Sequence, residues 1–155
     1  CGDSAGAHLA ASLSRHIAVD KNIKLHSQFL IYPMCNPDCN SESHKTFSQE
    51  YLLTNSAMKW FWEKLSSGKS DMKDKTFNLM LNDTTIEVPK TVIVTAGFDP
   101  LVDEAEKFAF LLYENDNDVT QLHYPSLFHG FASMTRLKSA KMAVDDFLKE
   151  YKEIL

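Results

Sequence analysis

Cys1-Gly2-Asp3-Ser4-Ala5-Gly6 carries a G-x-S-x-G pattern, with Gly2 and Gly6 flanking Ser4 and an alanine-rich helical stretch directly behind it. This spacing suits a serine lifted out of a sharp strand-to-helix turn. At either flanking position a side chain is expected to collide with the neighbouring strand or helix. The chemistry is acyl transfer through the Ser4 hydroxyl. A hydroxyl is a poor nucleophile at neutral pH, so it needs a base, and the base needs an acid to orient it. In a parallel α/β sheet those partners come from loops at the carboxyl ends of later strands. Two residues satisfy that condition. Asp99 follows the apolar run at 91–95 (TVIVT), and His129 follows the strand candidate at 119–124 through Pro125-Ser126-Leu127-Phe128. The order Ser4, Asp99, His129 is one of the chain orders a serine triad takes.

Other residues compete for these roles. Asp99 could serve only as the N-cap of the helix behind it, a common use of Asp before Pro. Asp103 is its nearest rival but sits a turn inside that helix. His123 falls within a strand, and His8 and His16 are read as surface residues of the first helix. His44 lies in a polar stretch and could line a pocket. Asp3 adjoins Ser4 and is read as a turn-stabilising residue. Cys35 and Cys39, with His26 and His44 near them, form only a C-x3-C, without the paired spacing of a zinc site. Neither a metal nor a cofactor is expected.

Positioning these groups requires alternating helices and strands. Leu9, Leu13 and Ile17 repeat at helical spacing beside Ala7, Ala10 and Ala11, which predicts a helix able to lie very close to a sheet. Residues 25–32 (LHSQFLIY) read as a buried parallel strand stopped by Pro33. A polar irregular stretch covers 36–50, followed by a helix start at Leu53-Thr54-Asn55 with Met58, Phe61, Trp62 and Leu65 as its stripe. Trp60 is off that stripe and is the residue expected to be exposed. Residues 68–75 read as a charged surface loop. A helix over 101–114 carries Leu101, Ala105, Phe108 and Leu112, and Asn115-Asp116-Asn117 ends it with an Asn suited to a left-handed cap. The closing helix, 138–155, is amphipathic through Val144, Phe147, Leu148 and Tyr151. The alternation predicts an α/β fold, a parallel sheet with helices on both faces.

Composition narrows the classes. With 44% apolar and 24% charged residues among 155, the chain reads as one globular domain. Its 21 acidic against 16 basic residues, a net charge of -5, give no support to a nucleic-acid partner. No apolar run reaches membrane-spanning length, so stable insertion is not expected. Three cysteines cannot all pair, which leans towards a reducing, cytoplasmic setting. Nothing in the sequence supports an oligomer. A start at Cys1, inside a motif, reads as a fragment or a processed product.

Taken together, Gly2-Asp3-Ser4-Ala5-Gly6, Tyr32-Pro33, Leu53-Thr54 with Trp60-Phe61-Trp62, Asp99-Pro100-Leu101-Val102-Asp103-Glu104 and His129-Gly130-Phe131 resemble the hormone-sensitive-lipase-like branch of the α/β-hydrolases. The resemblance covers the whole chain. It implies an esterase or lipase for small, fairly apolar acyl esters, with Ser4 as nucleophile, His129 as base and then acid, and Asp99 as orienter. By the same matching the Ala5 amide is an oxyanion donor. Family members usually carry Gly at the position of Ala7 and Arg at that of Val102. The resemblance makes the chain the C-terminal part of a single α/β-hydrolase domain, with a cap or insertion around 36–85. The His-Gly-Gly oxyanion motif and the strands before the elbow would then lie upstream, at a cost of about 10²–10³ in rate for each missing donor. On that view the sheet keeps only the strands at 25–32, 91–95 and 119–124, with an uncovered edge beside the elbow. The 155-residue chain by itself is expected to be inactive. Two other readings stay open: a catalytically silent ligand receptor on the same scaffold, and an amidase or peptidase with the same triad.

Overall fold

A computed structural model describes residues 1–19, 23–68, 71–81 and 87–154. Its centre is a sheet of four parallel strands in the order β1 (Gly2–Asp3), β2 (Ser27–Ile31), β3 (Lys90–Phe98) and β4 (Val119–Phe128). Among the described residues five α-helices accompany it: α1 (Ala5–Val19), α2 (Glu42–Thr46), α3 (Asn55–Leu65), α4 (Val102–Glu114) and α5 (Lys138–Glu153). Side chains alternate along each strand, so each strand feeds two layers. Leu30 and Ile93 face Ala7, Ala11, Phe108 and Leu112 of α1 and α4. Phe29, Val92 and Val94 face Ala140, Ala143 and Phe147 of α5. The strand order advances in one direction, so crossovers of one hand put α1 and α4 on the same face. α5, with no strand after it among the described residues, folds onto the other.

Five expectations change. The elbow strand is not absent: Gly2 and Asp3 pair with Leu30 and Ile31 and cover that end of β2. The polar stretch at 36–50 holds α2, whose Ser41 side chain accepts from the His44 amide. In α1 the alanines approach the sheet, as expected, but Leu9 and Leu13 are each 56% exposed. The stripe of α3 narrows to Met58 and Trp62, while Phe61 and Leu65 join Trp60 outside. The residue that takes the left-handed conformation after α4 is Asp116 (φ 59°), not an asparagine. Asn117 instead accepts from the Val88 amide at 2.9 Å and donates to the Leu112 carbonyl at 3.0 Å. Positions 69 and 70 of the charged loop lie outside the described residues, and its described part turns through Asp71–Lys73.

His8 is a correction of another kind. It is 1% exposed, packed edge-on against Trp62 with its Nδ1 3.1 Å from the Met34 carbonyl oxygen. Arg15, on the same face, donates to the Lys75 and Leu79 carbonyls at 2.8 and 3.0 Å. Burial depresses the His8 imidazole from its usual 6.5 to about 4, against the opposing pull of the Met34 carbonyl. The imidazole is therefore neutral in both states above pH 6.5. As pH falls towards 4 only the unfolded chain takes up the proton, so stability declines through that window. The full loss is about 3 kcal/mol. Chemical denaturation of the intact protein at pH 7 and pH 4.5 should show a shallower pH dependence for His8→Gln than for wild type. Equal slopes would refute the assignment.

Candidate active site

Two local devices build the site. At the elbow, Ser4 takes φ 51°, a left-handed conformation that throws its side chain out of the turn. The Ser4 amide donates to the Ile31 carbonyl at 2.9 Å and its carbonyl accepts from the His8 amide at 3.1 Å, so the turn is fixed to β2 and α1. Gly2 is required here, because a Cβ would strike the Gly6 backbone and stand 2.8 Å from the Ala7 amide nitrogen. Gly6 is not: its Cβ would find nothing nearer than Asp3 Oδ1 at 4.0 Å. The expected collision thus applies to one glycine of the two. The second device is the bulge in register between Ala96 and Phe98. A Cβ on Gly97 would run into the Pro125 backbone, so only glycine permits this approach of β3 to β4. The bulge turns the end of β3 towards the end of β4.

Those ends carry the other two groups. His129 Nε2 lies 2.9 Å from Ser4 Oγ, and His129 Nδ1 lies 2.8 Å from Asp99 Oδ2. Asp99 is fully buried and His129 is 7% exposed. The other oxygen of Asp99, Oδ1, accepts from the Leu101 amide at 2.8 Å. Each oxygen of Asp99 thus has its own partner, the Leu101 amide for one and the His129 ring for the other, while the N-cap position of α4 falls to Leu101, without a side-chain cap bond. The Tyr32 ring lies against the imidazole, with centroids 4.6 Å apart. Burial, with the charge of Asp3 next, holds the Tyr32 phenol well above its usual range, so this neighbour stays neutral. Gly130 takes φ 84° immediately after His129, and Phe131 then turns back into the core. Ala5 opens α1, where the first backbone N–H groups have no partner inside the helix and are free to receive negative charge. A hydroxyl, an imidazole and a buried carboxylate in this sequence of contacts can pass the hydroxyl proton to nitrogen while oxygen attacks an electrophilic carbon.

Residues 1–133 match the family described as alpha/beta hydrolase fold. The chain belongs to the α/β-hydrolase fold family. Among curated relatives, the carboxylic ester hydrolase LipN of Mycobacterium tuberculosis is 30% identical over 148 residues, 92% of this chain and 39% of its own length. The ethyl acetate hydrolase of Pseudomonas putida is 26% identical over 134 residues, 86% of this chain and 42% of that protein. A hyperthermophilic esterase from Pyrobaculum calidifontis superposes with a TM-score of 0.88 at 29% identity, covering 99% of this chain and 51% of that one. The chain thus spans about half the length, or somewhat less, of the proteins it matches.

The remaining candidates of this α/β-hydrolase chain lie apart from the site. His123 is a half-exposed strand residue, with Nδ1 2.9 Å from Thr95 Oγ1 and 3.2 Å from Glu106 Oε1. His16 and His26 are exposed. Cys35 packs in the core beneath α1 and α4, whereas Cys39 packs with Met34, Met58 and Trp62. Burial, the larger cause, and the Glu104 charge push the Cys39 thiol up to about 12. Among the described residues no group of three His, Cys, Asp or Glu side chains could hold a metal ion, and no helix is long and apolar enough to cross a membrane. The imidazole nitrogens meet Asp99 and Ser4, whereas Asp103 bonds the Ser43 amide and His44 bonds Glu104, so each ties α2 to the start of α4. Sequence reasoning missed that second buried polar cluster, because its partners lie some sixty positions apart.

Proposed function

We propose that the intact protein is a serine carboxylesterase acting on small, fairly apolar acyl esters, with this chain forming part of one catalytic domain. The observation that carries the reading is the continuous contact from Ser4 Oγ through His129 to Asp99. Ser4 Oγ attacks the acyl carbon as His129 Nε2 takes its proton, and Asp99 holds the imidazole and offsets the charge that develops on it. The Ala5 amide, at the positive end of α1, donates to the tetrahedral oxyanion. Collapse of that intermediate expels the alcohol, protonated by His129, and leaves an acyl ester on Ser4. Water, deprotonated by the same imidazole, then releases the acid.

The apolar preference is supported by aromatic side chains around the sheet's carboxyl end. Tyr51 stacks on Phe98 at 6.1 Å, and Phe47 closes on both rings. Phe98 precedes Asp99 in sequence. A Cβ on Gly130 would stand 3.3 Å from a Leu52 methyl, which brings the same segment beside the imidazole. In this reading the described residues within 36–85 form a cap-side wall of the site. The esterase relatives are consistent with it. Treatment of the intact protein with a fluorophosphonate tests the reading: Ser4 Oγ should displace fluoride and carry the phosphonyl group. A folded, intact protein left unmodified at Ser4 would sink it.

A further inference from the structure

Glu104 is a carboxylate buried to 2% exposure within the first turn of α4. Its Oε1 accepts from the backbone amides of Cys35 at 2.7 Å and Asn36 at 3.1 Å. Its Oε2 lies 2.9 Å from Nε2 of the fully buried His44. Among the described residues His44 Nδ1 has no partner, so the tautomer protonated at Nε2 leaves only an acceptor unsatisfied, the cheaper arrangement. Beside this pair, Asp103 Oδ2 accepts from the Ser43 amide at 2.7 Å, and Ser43 Oγ donates to the Pro100 carbonyl at 2.6 Å. The exit of β2 and the whole of α2 are thereby bonded to residues 100–104. Pro100 follows Asp99 directly, and its ring leaves that peptide little freedom of its own.

We propose that Glu104 and Ser43 are positioning residues for Asp99, acting by clamping the loop that carries it. The inference rests on the esterase reading for its kinetic readout alone. Asp99 holds His129 through one oxygen and its own turn through the other, so a shift of the loop moves the carboxylate bodily. The Ser43–Pro100 hydrogen bond restrains that shift from outside. The Glu104 carboxylate fixes where Ser43 stands, by holding His44 and the two amides at the end of β2. A residue that served only stability would lower the folded fraction and leave the chemistry of each folded molecule unchanged. A positioning residue lowers kcat in molecules that remain folded.

The experiment uses the intact protein and its Ser43→Ala, Glu104→Ala and Glu104→Gln variants. Steady-state hydrolysis of p-nitrophenyl acetate, thermal melting and the far-downfield proton resonance of His129 Nδ1–H are measured for each. Ser43→Ala and Glu104→Ala should lower kcat per folded molecule by about 10- to 100-fold, with KM within about twofold. The His129 resonance should broaden or vanish in both. Glu104→Gln keeps an oxygen for the two amides, but its NH2 group must meet His44 in the other tautomer, so it should recover only part of the loss. An unchanged kcat and resonance in folded Ser43→Ala would overturn the proposal, and that variant decides the matter if Glu104→Ala does not fold. Absence of turnover in wild type would count against the esterase reading instead. The resonance, which needs no turnover, would then still decide the clamp.

Discussion

Ser4→Ala in the intact protein is expected to lower kcat for p-nitrophenyl acetate by about 10⁵-fold or more, with KM and melting temperature almost unchanged. The size follows from the geometry around one atom. Ser4 Oγ is the group that His129 Nε2 touches, at 2.9 Å. Without it the imidazole can deprotonate only water, and no covalent acyl-enzyme can form. The rest of the site survives the change. The turn is held by backbone bonds of Ser4 to Ile31 and His8, and alanine meets about the same cost as serine at φ 51°. The His129–Asp99 contact at 2.8 Å does not involve Ser4. Pre-steady-state kinetics should also lose any burst of p-nitrophenol. A loss of activity smaller than about tenfold would mean that another group carries the acyl transfer.

The second large effect separates orientation from presence. Asp99→Asn should leave the fold intact and lower kcat by about 10⁴-fold. An asparagine oxygen can still accept from the Leu101 amide, as Oδ1 does now at 2.8 Å. Its NH2 group then faces His129 Nδ1, and a donor there forces that nitrogen to be the acceptor. The ring proton moves to Nε2, which points at Ser4 Oγ as a donor and cannot receive its proton. The side chain is fully buried, so water has no room to relieve the conflict. Asp99→Ala would be the poorer test, since it also removes the Leu101 bond and unsettles the start of α4. Matched melting curves for wild type and Asp99→Asn, with kcat falling by three or more powers of ten, form the expected pair. Comparable turnover in the two proteins would show that the carboxylate does not set the tautomer.

Of the three residues proposed for the triad, Ser4 stood out by its G-x-S-x-G pattern, and Asp99 and His129 because each follows a strand that announces itself, as the β-branched run Thr91-Val92-Ile93-Val94-Thr95 does. The sheet and its helical layers followed from the same alternation. What escaped was the polar interior. His8 and Arg15 look like surface residues because nothing nearby in sequence satisfies them. Their partners, carbonyls at Met34, Lys75 and Leu79, arrive only through tertiary structure. The inward face of α1 was read for its leucines as well as its alanines, but close approach to a sheet favours the smaller side chains. α2 spans only Glu42–Thr46, too short for a periodic pattern, and its Ser41 cap was the one local signal. Glu104 was visible as a motif letter, whereas its burial beneath the amides of Cys35 and Asn36 was not.

The contact between Ser4 and His129 joins residues 125 positions apart, across a sheet whose strands all run parallel. On the ribosome Ser4 therefore emerges before His129 and waits for it, on the order of ten seconds at ordinary elongation rates. Every strand must find its neighbour across a long intervening segment before the carboxyl ends of β3 and β4 converge. No partly folded chain can carry out the chemistry proposed for the three residues together. Onset of reactivity at Ser4 would thus act as a clock for folding of this segment, striking only when β4 has docked.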